Sequence, residues 1–173
     1  MRTNLSSQIS LNRVSTRYYK PENTIERSVL TRFEKIPTNI YETVDEGVSC
    51  IADEIIRKVQ ERQRDGKFCT IATGTGASLR PLFAELVRRH KEEGVSFRNV
   101  VVFNLYEYYP LTEPNNSSFN QLNELFLKQV DIDPQNVFTL NGTIPQEGVI
   151  DHCHLYEQRI KTYGGIDING NRS

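Results

Sequence analysis

The chain has 173 residues, 37% hydrophobic and 25% charged, which is enough for one domain with a real core. Lys and Arg total 21 against 22 Asp and Glu, and a net charge of -1 argues against a dedicated nucleic-acid or membrane-surface binder. No apolar run approaches a membrane span, and the opening MRTNLSSQIS lacks the apolar stretch of a secretory signal, so a cytoplasmic protein is expected.

Residues 1–35 read as an N-terminal extension. Pro21 starts an expected helix with Ile25, Val29 and Phe33 on one stripe. Arg13, Arg17 and Lys20 beside Tyr18 and Tyr19 read as a solvated arm packing on the domain or on a neighbouring subunit. From residue 36 the pattern becomes regular. Thr43 with Glu46 is a capping box, and Val44, Val48, Ile51, Ala52, Ile55 and Val59 form a helical stripe ending at Asp65-Gly66. A strand is expected over 68–72, then a Gly/Thr/Ser loop over 73–78. The next helix carries Leu79, Leu82, Phe83, Leu86 and Val87, with Pro81 in its first turn and Gly94 closing it. Residues 99–104, NVVVFN, form a continuous apolar strand of the kind buried in a parallel sheet. Phe119, Leu122, Phe126 and Val130 predict a third helix, and 137–140 a third strand. Val149, Cys153, Tyr156, Ile160 and Tyr163 predict a fourth helix, stopped by Gly164-Gly165, and Ile166 begins a fourth strand.

Strands alternating with helices predict an α/β fold: an open three-layer, mostly parallel sheet with helices on both faces. Cys50, Cys69 and Cys153 lack metal-ligand spacing and read as reduced thiols, with Cys69 and Cys153 as small core residues. His152 and His154 are two apart and do not share a helix face, so no metal site is expected.

Ligands of such sheets bind outside the carboxyl ends of the strands, which selects two loops, 73–78 and 105–116. In the first, Gly74 and Gly76 allow close backbone approach, and Thr75 and Ser78 carry hydroxyls. It is neither a P-loop nor a dinucleotide fingerprint, and by pattern it is a phosphate cradle or a plain strand-to-helix turn. Ser78 is also a candidate helix cap. In the second, Glu107 sits just past a buried strand among Tyr106, Tyr108 and Tyr109, as an acid or base or as part of a surface turn. Asn115, Asn116, Ser117 and Ser118 are sugar-hydroxyl contacts or a turn.

The ordered segments TGAS (75–78), VVVFNLYEY (100–108), DIDPQNVFTLNG (131–142) and YEQRIKTYG (156–164) resemble the glucosamine-6-phosphate deaminase family from about residue 36 to 168. The extension is similar to that of a long bacterial subgroup. The resemblance implies ring opening of an amino-sugar phosphate, proton transfer between C2 and C1, and loss of ammonia to give fructose 6-phosphate, without a cofactor. It implies that Thr75, Gly76, Ala77 and Ser78 hold the substrate phosphate and that Tyr106 and Glu107 occupy the family's acid–base positions. The resemblance also implies a sugar phosphate as partner and a homo-oligomer for the full-length form. A non-catalytic sugar-phosphate binder and a 6-phosphogluconolactonase-like enzyme are the alternatives.

The chain departs from the family pattern in three ways. Tyr106 stands where the family has its basic Asp, and a phenol with a pKa near 10 is a poor base at neutral pH. Leu79 and Ala77 replace a Pro and a Gly around the loop. Residues 169–173 form a polar tail where the family continues towards a G-x-G-x-D-G-H segment, so the resemblance implies an N-terminal part that does not turn over substrate alone. An open sheet edge would then make the isolated chain self-associate.

Overall fold

The structure is a computed structural model, and it describes residues 23–25, 28 and 39–163. Of the helix expected from Pro21 only a few residues fall within that range, and the strand expected from Ile166 lies outside it. The chain divides into two units, one ending at Gly47 and one beginning at Val48. In the first, Thr43 Oγ1 accepts the Glu46 N–H at 3.1 Å, and Glu46 Oε2 accepts the Glu42 N–H at 3.3 Å. This reciprocal cap starts helix α1, Val44–Arg64, as the spacing predicts.

The second unit is built on a parallel sheet ordered β1-β2-β3. Strand β1 is Cys69–Thr73 and β2 is Val100–Asn104, in register from Cys69 opposite Val100 to Thr73 opposite Asn104. Strand β3 is Val137–Phe138, paired with Val102 and Phe103. The apolar run of β2 is buried along its whole length because it is central and covered on both faces. Val100 and Val102 face a core with Ala52, Ile56 and Val59 of α1, and with Phe83, Leu86 and Val87 of α2, Arg80–Glu93. Val101 and Phe103 point to the opposite face. There Phe103 packs edge-on against Tyr156, at 5.6 Å between ring centres, on α4, Val149–Tyr163. Helices therefore cover both faces of the sheet.

Pro81 lies in the first turn of α2, and Gly94 closes that helix at φ 72°, a left-handed conformation that glycine adopts without penalty. Helix α3, Ser118–Leu125, stops short of the expected Val130. Phe126 leaves the helix at φ -142° and wedges between Phe83 and Phe97, at ring distances of 5.4 and 5.8 Å. Aromatic packing thus overrides helical continuation at that residue.

The α1 stripe also differs from the expected one. Ile56 is buried with Ala52 and Val59, while Val44 and Ile51 are exposed. Cys153 is exposed, not a core residue, because α4 packs through Tyr156 and Tyr163 and buries no other face deeply. Cys69 does pack against the core. Among the described residues no helix is long and apolar enough to cross a membrane.

Candidate functional site

Strands β1 and β2 end side by side, and the Leu105 N–H still donates to the Thr73 carbonyl at 2.9 Å. Beyond that point the chain fans into the two expected loops. Asn104 holds them together. Its side chain is fully buried at the end of an apolar strand, where an unpaired amide would be heavily penalised. Its Oδ1 accepts from Ser118 Oγ at 3.2 Å, and its Nδ2 donates to the Tyr106 carbonyl at 2.9 Å. Its own carbonyl accepts from the Tyr156 hydroxyl at 2.7 Å.

From Ser118 the network reaches the first loop: Ser118 Oγ lies 3.1 Å from Thr75 Oγ1, which lies 3.2 Å from the Tyr106 hydroxyl. The Thr75 N–H also donates to that phenolic oxygen, at 3.4 Å. Proton directions follow from the donor inventory. Asn104 Oδ1 only accepts, so Ser118 gives it a proton and accepts from Thr75. Thr75 then accepts from Tyr106, whose oxygen accepts the Thr75 N–H. The result is a one-way ring of hydrogen bonds through Asn104, Ser118, Thr75 and Tyr106. Tyr106 enters it because Gly74 has no side chain: a Cβ there would stand 2.7 Å from Tyr106 Cε1. The Thr75 hydroxyl, which can turn to donate once the phenol has lost its proton, and next the Thr75 N–H, hold the phenol's pKa below its ordinary value, with burial opposing.

Glu107 is saturated with donors. Its Oε1 accepts the N–H groups of Tyr108 and Ser118 at 3.0 and 2.8 Å. Its Oε2 accepts from Ser117 Oγ and the Phe119 N–H at 2.7 and 3.1 Å. The carboxylate sits on the positive end of α3, where Ser117 also caps the Asn120 N–H at 3.1 Å. Burial pushes the Glu107 pKa up, but the Ser117 hydroxyl and the three N–H groups outweigh it and the net shift is downward. Glu107 is thus an ionised clamp that ties the start of the second loop to the N-terminus of α3.

The expected phosphate loop divides in two. Thr75 is buried and its polar groups serve the ring, while Gly76, Ala77 and Ser78 are exposed. Ser78 does not cap α2: a short 3-10 turn, Ala77–Leu79, intervenes, and Leu79 takes the cap position without a side-chain bond. The first turn of α2 carries no acidic residue, so its positive end is uncompensated. Ser117 and Ser118, expected as sugar contacts or turn residues, are interior members of the network.

Beside Glu107 lies a cleft of about 430 Å³, walled by Leu111, Thr112 and Phe119 on one side and by Thr139, Asn141 and Thr143 on the other. Its two walls are pinned at Gly142, whose carbonyl accepts the Leu111 N–H at 2.7 Å. The reading of the sequence missed Gly142 and the structural role of Asn104. Asn104 had a signal, since it is the polar residue that closes an otherwise apolar strand. Among the described residues no three His, Cys, Asp or Glu side chains gather to hold a metal.

Comparison with known proteins gives this geometry a context. The sequence profile of the family glucosamine-6-phosphate isomerases/6-phosphogluconolactonase matches residues 42–171. The chain is 59% identical over 169 residues to a glucosamine-6-phosphate deaminase-like protein of Bacteroides thetaiotaomicron, covering 97% of this chain and 26% of that one. It is 33% identical over 131 residues to the glucosamine-6-phosphate deaminase of Dictyostelium discoideum, covering 69% of this chain and 48% of that one. The chain thus spans about a quarter to a half of these relatives. Among solved structures, a monomeric glucosamine-6-phosphate deaminase superposes with a TM-score of 0.62 at 25% identity, covering 76% of this chain and 56% of that one. A 6-phosphogluconolactonase from Trypanosoma brucei superposes with a TM-score of 0.57 at 17% identity, covering 73% of this chain and 51% of that one, and shows the shared fold.

Proposed function

The chain belongs to the glucosamine-6-phosphate isomerase/6-phosphogluconolactonase family, and on that premise we propose that its strand-end loops form the phosphate-holding side of an amino-sugar-phosphate site. The proposed reaction is aldose–ketose isomerisation of glucosamine 6-phosphate with loss of ammonia, in the cytoplasm. The N–H groups of Thr75, Gly76, Ala77 and Ser78, the Ser78 hydroxyl and the open positive end of α2 take the phosphate. Glu107 acts as a positioning residue, because its lone pairs are already committed. Tyr106 is the titratable group beside the loop. The observation that carries the reading is the partly buried ring through Asn104, Ser118, Thr75 and Tyr106, which sets the unliganded loop against both strand ends.

The saturated carboxylate and the phenol also favour a second reading, a binder of sugar phosphate without turnover. One experiment separates the two. The 173-residue chain is melted with and without glucosamine 6-phosphate, and ammonia release is assayed in parallel. Stabilisation with ammonia supports the enzyme, and stabilisation alone supports the binder. No stabilisation, or stabilisation undiminished by Ser78→Ala, removes the loop from the proposal.

A further inference from the structure

We infer that Tyr106 is an internal ligand of the loop: its phenolic oxygen occupies a donor that a bound phosphate would use, so phosphate binds only by displacing it. This rests on the reading of residues 75–78 as the phosphate cradle.

Four observations carry the inference. The Tyr106 oxygen accepts the Thr75 N–H at 3.4 Å, the role an anionic oxygen takes in such a loop. The phenol gives its own proton to Thr75 Oγ1 at 3.2 Å, so it meets both the N–H and the hydroxyl of the one residue of 75–78 that is buried. Room for the ring exists only because position 74 is a glycine, where a Cβ would come within 2.7 Å of it. Tyr106 as a residue is still 40% exposed, so its side chain has a path outward that needs no rearrangement of the core.

The contest favours the anion when one is present. Both phenol bonds are long and neutral, whereas N–H bonds to a phosphate oxygen are charge-assisted, shorter and about twice as strong. Without an anion, the tyrosine keeps the buried Thr75 groups paired and the loop closed. The intrinsic affinity of the loop is thus discounted by the fraction of molecules in which the phenol has left. Tyr106 sets both the affinity threshold and the kind of ligand admitted: groups that accept strongly enough to evict a phenol, which a neutral sugar hydroxyl does not.

The test is calorimetric titration of inorganic phosphate and of glucosamine 6-phosphate into the native chain, Tyr106→Phe and Gly74→Ala. Tyr106→Phe keeps the ring and loses both bonds, and is expected to bind both ligands about tenfold tighter, equivalent to about 1.4 kcal/mol. Gly74→Ala forces the ring aside and is expected to shift affinity the same way. In the native chain, 3-fluorotyrosine at position 106 should change its 19F resonance on phosphate addition. If the native chain binds and Tyr106→Phe binds equally or more weakly, the internal-ligand inference fails while the phosphate reading stands. If none of the three proteins binds, both fail.

Discussion

Replacing Glu107 by Gln tests how the second loop is held to the start of α3. In the native protein one carboxylate oxygen takes the N–H groups of Tyr108 and Ser118, and the other takes the Ser117 hydroxyl and the Phe119 N–H. Glutamine keeps one accepting oxygen and puts an NH2 group in place of the other. The Ser117 hydroxyl can turn round and accept from that group, but a backbone N–H cannot. Leaving one partly buried N–H without a partner costs about 1–1.5 kcal/mol, the low end of the usual range because water reaches this edge. Losing the charge from the positive end of α3 adds about 0.3–1 kcal/mol. The expected destabilisation is about 2 kcal/mol, or a fall in Tm of roughly 5–10 °C for a domain of this size. Its pH dependence has a definite sign. The folded pKa of Glu107 lies below 4.5, so its contribution is complete above about pH 4.5 and is lost as pH falls through the folded value. The gap between native and variant should therefore close in acid. Urea unfolding followed by circular dichroism at pH 7 and pH 3.5 measures it. A variant within about 0.5 kcal/mol of native at pH 7, or a gap unchanged in acid, would refute the clamp.

Three further outcomes are expected. Hydrogen bonds from Arg88 and then Arg89 hold the Glu85 pKa down at about 2, so a carbon-detected NMR titration should find this carboxylate still ionised at pH 3. A midpoint near the ordinary 4.5 would contradict the ion-pair geometry, and any stability from the cluster should persist above pH 4.5 and fade towards pH 2. Leu122→Ala, at a side chain with no exposure, should lose about 2–5 kcal/mol in chemical denaturation, and a loss under 1 kcal/mol would misplace it in the core. Gly142→Ala would put a Cβ 2.1 Å from the Tyr108 carbonyl and 2.8 Å from Leu111 Cβ, so the two cleft walls must part. A loss of about 1–3 kcal/mol is expected on unfolding, and native-like stability would show that the walls are not pinned there.

Much of the layering was legible because its signals are local. An unbroken run of valines and phenylalanine marks β2, Pro81 marks the start of α2, and Gly94 marks its end. The misread elements depend on distant partners. Phe126 leaves its helix to meet Phe83 and Phe97, and Cys153 is exposed because Tyr156 and Tyr163 do the packing on α4. The candidate site divides in the same way. Gly74, Thr75 and Glu107 stood out by type and place. Their roles did not, because Tyr106 finds Thr75 across 31 positions and Ser118 finds it across 43. Glu107 looked like an acid or base in isolation. It becomes a clamp once the N–H groups of Ser118 and Phe119, eleven and twelve residues onward, fold back to it.

The helix ends that follow β1 and β2 differ in one respect. The N-terminus of α3 already holds a carboxylate from its own chain, whereas that of α2 begins with no acidic residue and no side-chain cap. An anion arriving from solution meets a resident of its own sign at one and none at the other. Both ends present the same backbone chemistry, yet the resident before α2 is a neutral phenol that an anion can displace, not a carboxylate. Phosphate titration should therefore show no second, weaker class of site from α3.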